Sequence, residues 1–229
     1  MATPFPNPSA APTPRDQALA AGHLTTQVVA VAFGLVAALR IAQIVGLFLP
    51  PPGSVVPPLF LPITLASGVA TISLVVWLGQ AANIARDHMS RPFKFTPGDA
   101  AISLIIPVLN LIQPYRVVTA LAANADPSDL PPVREVRVNP NAGYREPAIV
   151  ITESKPVLPS VPLALWWAMW IASSTLGVLI IVEVWGATLC HLMAIAAAGL
   201  TVVIVRGVDA RRLERGRRMA AMEREERAA

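Results

Sequence analysis

Charge is scarce in this sequence. Lys, Arg, Asp and Glu make up 14% of 229 residues, against roughly a quarter in an average soluble domain, so the chain cannot clothe a water-facing surface of its size. The scarcity is local as well. Leu59–Leu78 and Val161–Val182 hold no charged residue over 20 and 22 positions, and about 20 apolar helical residues cross the hydrocarbon core of a bilayer. A single cysteine, Cys190, excludes an intrachain disulfide and a cysteine-built zinc site. The three histidines, His23, His88 and His191, are scattered without metal-ligand spacing, so neither a metal nor a cofactor is expected. A glycine-rich phosphate loop, an HExxH pair and a Gly-x-Ser-x-Gly elbow are all missing, which leaves no motif on which to base an enzyme.

What the chain has instead is apolar length. Hydrophobic residues make up 54% of it, and the mean hydropathy is +0.57. Four spans are predicted, at about Thr26–Leu49, Leu59–Leu78, Pro162–Val182 and Ala187–Val205. A further apolar stretch, Ala100–Ile112, has 13 residues and is broken or bordered by Pro107, Asn110, Gln113 and Pro114. Runs of that length re-enter or lie at an interface more often than they cross. The expected fold class is therefore all-α: an integral membrane helical bundle of four spans plus a Pro/Asn-broken re-entrant or short fifth segment. Three extramembrane parts flank or interrupt the membrane domain, residues 26–206. Residues 1–25 read as a disordered tail, with five prolines in the first 14 positions, and its composition does not fit a cleavable signal. Residues 124–162 form a Pro-rich loop in which Val133–Val138 and Ala148–Thr152 can pair as a small hairpin. Residues 207–229 read as a basic cytoplasmic C-terminal helix or tail.

Basic residues set the orientation. With four spans, 17 of the 18 Lys and Arg residues, all but Arg40, share the side of the C-terminus, and the opposite loops carry none. The Lys/Arg-rich side is cytoplasmic, which points to a multi-pass protein of the inner (cytoplasmic) membrane with its C-terminus inside. The formal net charge of +4 is accounted for by this topology signal and gives no indication of nucleic acid. Arg211, Arg212, Arg215, Arg217 and Arg218 follow the last span directly and are expected to face anionic lipid headgroups. The cytoplasmic face is also the expected place for a protein partner.

Polar residues inside apolar segments are the candidates for function. Arg40 interrupts the first span, where a charge at mid-bilayer costs about 2.5–3.5 kcal/mol on insertion scales and less where it can snorkel. It is expected to face the bundle interior, with Gln43 three residues on, and to meet Glu183, His191 or the amides of Asn110 and Gln113. Trp166 and Trp167 stand at the start of a span and are expected in an interfacial aromatic belt. Ser173/Gly177, Ala194/Ala198 and Gly34/Ala38 are small-xxx-small pairs suited to close helix packing.

Several of these positions form a pattern. Trp77-Leu78 with Ala81 and Asn83 is followed by Phe95-Thr96-Pro97-Gly98, then by Pro107, Asn110, Pro114 and Tyr115, then by Trp166, Trp167 and Trp170. In this arrangement the chain resembles the bacterial membrane family of unknown function DUF4328 over most of Thr26–Arg206. It departs from the family's pattern at Asp99-Ala100, where an aromatic is expected. The resemblance implies a multi-span bacterial membrane protein and no activity. The role that best fits is a non-enzymatic, membrane-embedded interaction or sensing module. The alternative is a small transporter or channel subunit with segment 100–115 lining a polar pathway.

Overall fold

The computed structural model describes residues 12–48, 59–89, 92–105, 112–131, 134–137, 148–151, 163–179 and 184–228. Of the positions singled out above, Pro107, Asn110 and Glu183 lie outside these ranges, as do the side chains of Ser173 and Gly177.

The first helix, α1, runs from Pro14 to Phe48. A reciprocal box starts it. The Asp16 backbone N–H donates to Thr13 Oγ1 at 3.2 Å, and the Asp16 carboxylate accepts from the Thr13 backbone N–H at 3.1 Å and from its hydroxyl at 2.7 Å. Residues 14–25, expected in the N-terminal tail, are therefore helical. At 1.5 Å per residue the 35 residues rise about 50 Å, well beyond one bilayer core. The helix is apolar on two faces. Leu19, Val29, Phe33 and Val36 point inward and are buried, while Leu24, Val28, Val31, Leu35 and Ile41 point outward and are exposed. A helix that presents aliphatic side chains to both its neighbours and its surroundings is built for lipid.

The second helix, α2 (Phe60–Asp87), repeats the pattern. Ala66, Ala70, Leu74 and Trp77 are buried, and Leu61, Leu65, Val69 and Ile72 are exposed. Two short helices follow, α3 (Pro97–Ile105) and α4 (Gln113–Asn124). At the start of α3, the Asp99 carboxylate accepts from the Thr96 N–H and the Asp99 N–H donates to Thr96 Oγ1, both at 3.1 Å. Thr96 is thus the cap, and its hydrogen bonds hold the Asp99 carboxyl below the usual carboxylate range. Pro114 occupies the first turn of α4, where a missing N–H costs nothing. The nine residues of α3 rise about 13 Å, too little to cross a bilayer alone. Both short helices pack on α2, and α4 also reaches the last two helices.

The hairpin forms as β1 (Arg134–Arg137) and β2 (Ala148–Ile151), antiparallel with Arg134 opposite Ile151 and Arg137 opposite Ala148. Then come α5 (Leu163–Leu179) and α6 (Val184–Ala228). The last helix is continuous over 45 residues, so the basic segment after Arg206 is helical and continues the span helix.

Three helices among the described residues are individually long and apolar enough to cross a membrane: Pro14–Gly46, Leu61–Asp87 and Thr188–Arg227. This is one fewer than expected. The 17 residues of α5 rise about 25 Å, and its apolar described portion, Leu163–Ala172, falls short of a span.

Side-chain pairs fix how the long helices run. Arg15 meets Glu223, His23 meets Asp209 at 2.6 Å, and Arg40 meets His191 at 3.1 Å, so α1 and α6 are antiparallel along most of their lengths. Trp77 meets Thr26 at 3.0 Å, and the Leu59 N–H donates to Gln43 Oε1 at 2.9 Å, which makes α1 and α2 antiparallel. Trp166 and Thr201, 2.9 Å apart, join α5 to α6. The core is the seam between these helices, with Trp77, Leu74, Val29, Phe33, Ala198 and Val205 among its buried members.

A cavity at one end of the bundle and a clamped basic layer at the other

Near the bundle end that holds the end of α1 and the start of α2 and α6, the four long helices part around a cavity of about 160 Å³. Phe33, Val36 and Arg40 of α1 face Ser67, Ala70 and Thr71 of α2 across it. Trp170 of α5 and the small residues Ala194, Ala197 and Ala198 of α6 complete the wall. The alanines leave the space, because a larger side chain on that face of α6 would fill it. Phe33 and Trp170 pack together with ring centres 5.9 Å apart.

Arg40 is the cation on this wall. A guanidinium can only donate, so its Nη1 donates to His191 Nδ1, and the accepting ring carries its own proton on Nε2. Arg40 Nε and Ser67 Oγ are both buried without a hydrogen-bond partner. Thr71 donates its hydroxyl to the Ser67 carbonyl at 2.9 Å. Gln43, three residues beyond Arg40, turns to a different neighbour and receives the backbone N–H just ahead of α2, so the two side chains do not form one site. Gln113 opens α4 and does not line the cavity, nor does any other described residue of segment 100–115.

Two indoles brace the bundle. The Trp77 N–H donates to Thr26 Oγ1, whose hydroxyl donates on to the Gly22 carbonyl at 3.0 Å. Trp166 donates to Thr201 Oγ1, which donates to the Ala197 carbonyl at 2.8 Å. Trp166 and Trp167 are 2% and 8% exposed, which corrects the aromatic-belt expectation. Rings that pack at a tilt with centres 5.5 Å apart inside the helix seam are core, not headgroup anchors. Gly34 and Ala38 are also corrected: both are exposed, and nothing lies within 4 Å of a Cβ placed at Gly34. Ala194 and Ala198 do sit in the seam, beside the cavity.

The basic extension of α6 differs most from expectation. Arg212, Arg215 and Arg218 are buried, with Arg215 at 0%, and so are withdrawn from the headgroup-facing surface proposed for them. Arg212 pairs with Asp209 and packs against Gly22 of α1. Arg215 grips Asp129 through both guanidinium arms, at 2.6 and 3.1 Å, and also donates to the Asp126 carbonyl. Arg218 donates to the carbonyls of Pro127 and Leu130, at 3.2 and 3.1 Å, and to Glu214 at 2.9 Å. Arg215 and Arg218 together fasten the turn after α4 to α6. Arg217 is exposed and Arg211 half-buried. The signal for this layer was available in the sequence. Ala198, Thr201, Val205 and Val208 mark the inward stripe of α6, and Arg212 and Arg215 continue it at helical spacing.

Tyr115 is half-buried on α4, and Gly98 lies in the first turn of α3. The Pro97 carbonyl comes within 3.6 Å of a Cβ placed at Gly79 on α2, so the start of α3, with Pro97 and Gly98, docks closely on α2, the helix that carries Trp77. No group of three or more His, Cys, Asp or Glu placed to hold a metal occurs among the described residues.

No curated protein and no solved structure matches the chain. Residues 58–210 match the domain of unknown function DUF4328. The match begins just before α2, so α1, including Arg40, lies outside it, and it ends within α6 before the arginine layer. Covering as it does α2 to α5 and most of the apolar part of α6, this match shows that the chain belongs to the DUF4328 family.

Proposed function

We propose that the chain is a multi-pass membrane protein of four spans, α1, α2, α5 and α6, with both chain ends on the cytoplasmic side. It acts without catalysis as an interaction or sensing module. The observation that carries this reading is the buried arginine layer. Arg215 and Arg218 spend their donors on holding the turn after α4, Arg212 pairs with Asp209 on α6 itself, and Arg15 joins Glu223 at the same end of the bundle. On this reading the turn after α4 is a fixed cytoplasmic platform, and α4 and the β1–β2 hairpin, which flank it in the chain, are presented to a protein partner. The lipid-contacting role falls to Arg211 and Arg217, at about 1 kcal/mol for each charge near an anionic surface.

A photoreactive residue at Glu135 in β1 tests the module, with one at Ile72 on the exposed face of α2 as control. Discrete protein adducts from position 135 and only lipid adducts from position 72 are expected. Lipid adducts from position 135 would contradict the platform. The cavity beside Arg40 supports a second reading, a small transport subunit. Solute flux in proteoliposomes that is lost in Arg40→Gln would establish that reading in place of the first.

A further inference from the structure

Arg40 brings a full positive charge into the apolar half of the bundle, and its hydrogen-bond partner there is an uncharged ring. Among the described residues no carboxylate pairs with it. A second donor, Arg40 Nε, is buried and unused, and so is the hydroxyl of Ser67 on the facing helix. Arg40 and Ser67 both border the same cavity, as does Trp170. Buried polar groups in folded proteins are almost always satisfied, and a buried charge is almost always paired. Two unpartnered donors that border the same cavity suit a common partner, one that is negative to match the guanidinium and accepts a hydrogen bond from both.

We infer that this cavity binds a small monovalent anion, held between the guanidinium of Arg40 and the hydroxyl of Ser67. Size and lining define its class. A volume of about 160 Å³ is close to that of an apolar cavity known to hold benzene, so the ligand has about six to eight heavy atoms. A single cation balances one negative charge, and the rest of the wall is apolar: Phe33, Val36, Trp170 and the alanines of α6. A short-chain monocarboxylate fits, with its carboxylate between Arg40 and Ser67 and its alkyl part along Phe33 and Trp170. A hydrated multivalent anion does not fit. The inference rests on the packing of the four long helices and not on the proposed platform, so each can fail without the other.

Trp170 supplies the readout. The full-length protein in nanodiscs of zwitterionic lipid is titrated with sodium butyrate, with sodium gluconate, whose anion is too large for the cavity, holding the ionic strength constant. The expected result is a saturable change in tryptophan fluorescence that disappears in Trp170→Phe. It should weaken about tenfold or more in Arg40→Gln, weaken less in Ser67→Ala, and return in part with Arg40→Lys. Helical circular dichroism confirms that each variant is folded. The same titration in nanodiscs containing anionic lipid separates two sources of the anion. Unchanged butyrate affinity marks a free anion as the ligand, and competition that grows with lipid charge marks a headgroup. A folded wild type without a saturable response would overturn the inference. So would an undiminished response in Arg40→Gln, or one that emerges only in Glu183→Gln, which would make Glu183 the counter-charge.

Discussion

Trp77 and Trp166 each bury an indole N–H, and each N–H ends on a threonine hydroxyl of a neighbouring helix that is itself tied back to a carbonyl one turn earlier. The threonine has to both accept and donate, which only a hydroxyl can do at that size. Thr26→Val keeps the shape but leaves the Trp77 N–H, in a residue 1% exposed, without an acceptor. The expected cost is about 1–3 kcal/mol, read as a lower midpoint of unfolding in detergent. Thr26→Ser should cost less because the relay survives. Equal stability of Thr26→Val and the native protein would show that the indole is satisfied in some other way. Nothing in the sequence pointed to these two threonines. They lie in apolar runs 51 and 35 positions from their tryptophans, and only the antiparallel packing of the helices brings each pair together.

Helix contacts in the bundle depend on where small residues fall. A Cβ at Gly22 would stand 2.7 Å from both Arg212 Nη2 and Ile84 Cδ1, and one at Gly216 would stand 2.6 Å from Leu19 Cδ1. These two glycines let α1 and α6 approach at the level of the arginine layer. Gly22→Ala, which must displace both Arg212 and Ile84, should therefore destabilise by about 1 kcal/mol or more through overpacking, whereas Gly216→Ala needs only the tip of Leu19 to turn aside and should be milder. Gly34→Ala, with open space around it, should be neutral or stabilise by up to about 1 kcal/mol through helix propensity. Thermal unfolding of the three variants separates the outcomes, and a destabilising Gly34→Ala would mean that this face meets a partner.

The clamp on the turn after α4 gives a second check at this scale. Arg215 is buried, but the Asp129 side chain is 39% exposed, so solvent screens part of the pair. Arg215→Ala should cost about 1–3 kcal/mol and open residues 126–131 to limited proteolysis. Unchanged cleavage there would argue against the clamp. The long helices were legible in the sequence because uninterrupted apolar length is a direct demand of the bilayer. Their ends were not. The capping box at Thr13 and Asp16 extends α1 into a region that composition alone marks as tail, and α6 runs through a charged stretch that hydropathy divides. Arg40 with His191 was foreseeable, since a charge in a span needs a partner. The role of Gln43 as acceptor for the N–H ahead of α2 depends on a loop geometry that no periodicity reports.

The distribution of charge over the molecule matches its architecture. Apolar side chains cover the outside of α1 and α2 from Leu24 to Ile41 and from Leu61 to Val76. The ion pairs of Arg15, His23, Asp209, Arg212 and Arg215 collect at the opposite end from Arg40. Antiparallel pairing of α1 with α6 puts the start of one beside the end of the other, and α2 returns the chain to that same end at His88. The proposed arrangement, four crossings with both chain ends and the loop at Lys94 in the cytoplasm, follows the bias of basic residues. The central claim is thus a statement about sides. It is tested most directly by labelling Lys94→Cys, in a Cys190→Ser background, with a membrane-impermeant thiol reagent in intact cells. The account predicts no labelling until the cells are permeabilised. Labelling of position 94 in intact cells would contradict it, because the bundle end that holds Lys94, the start of α1 and the end of α6 would then face outward.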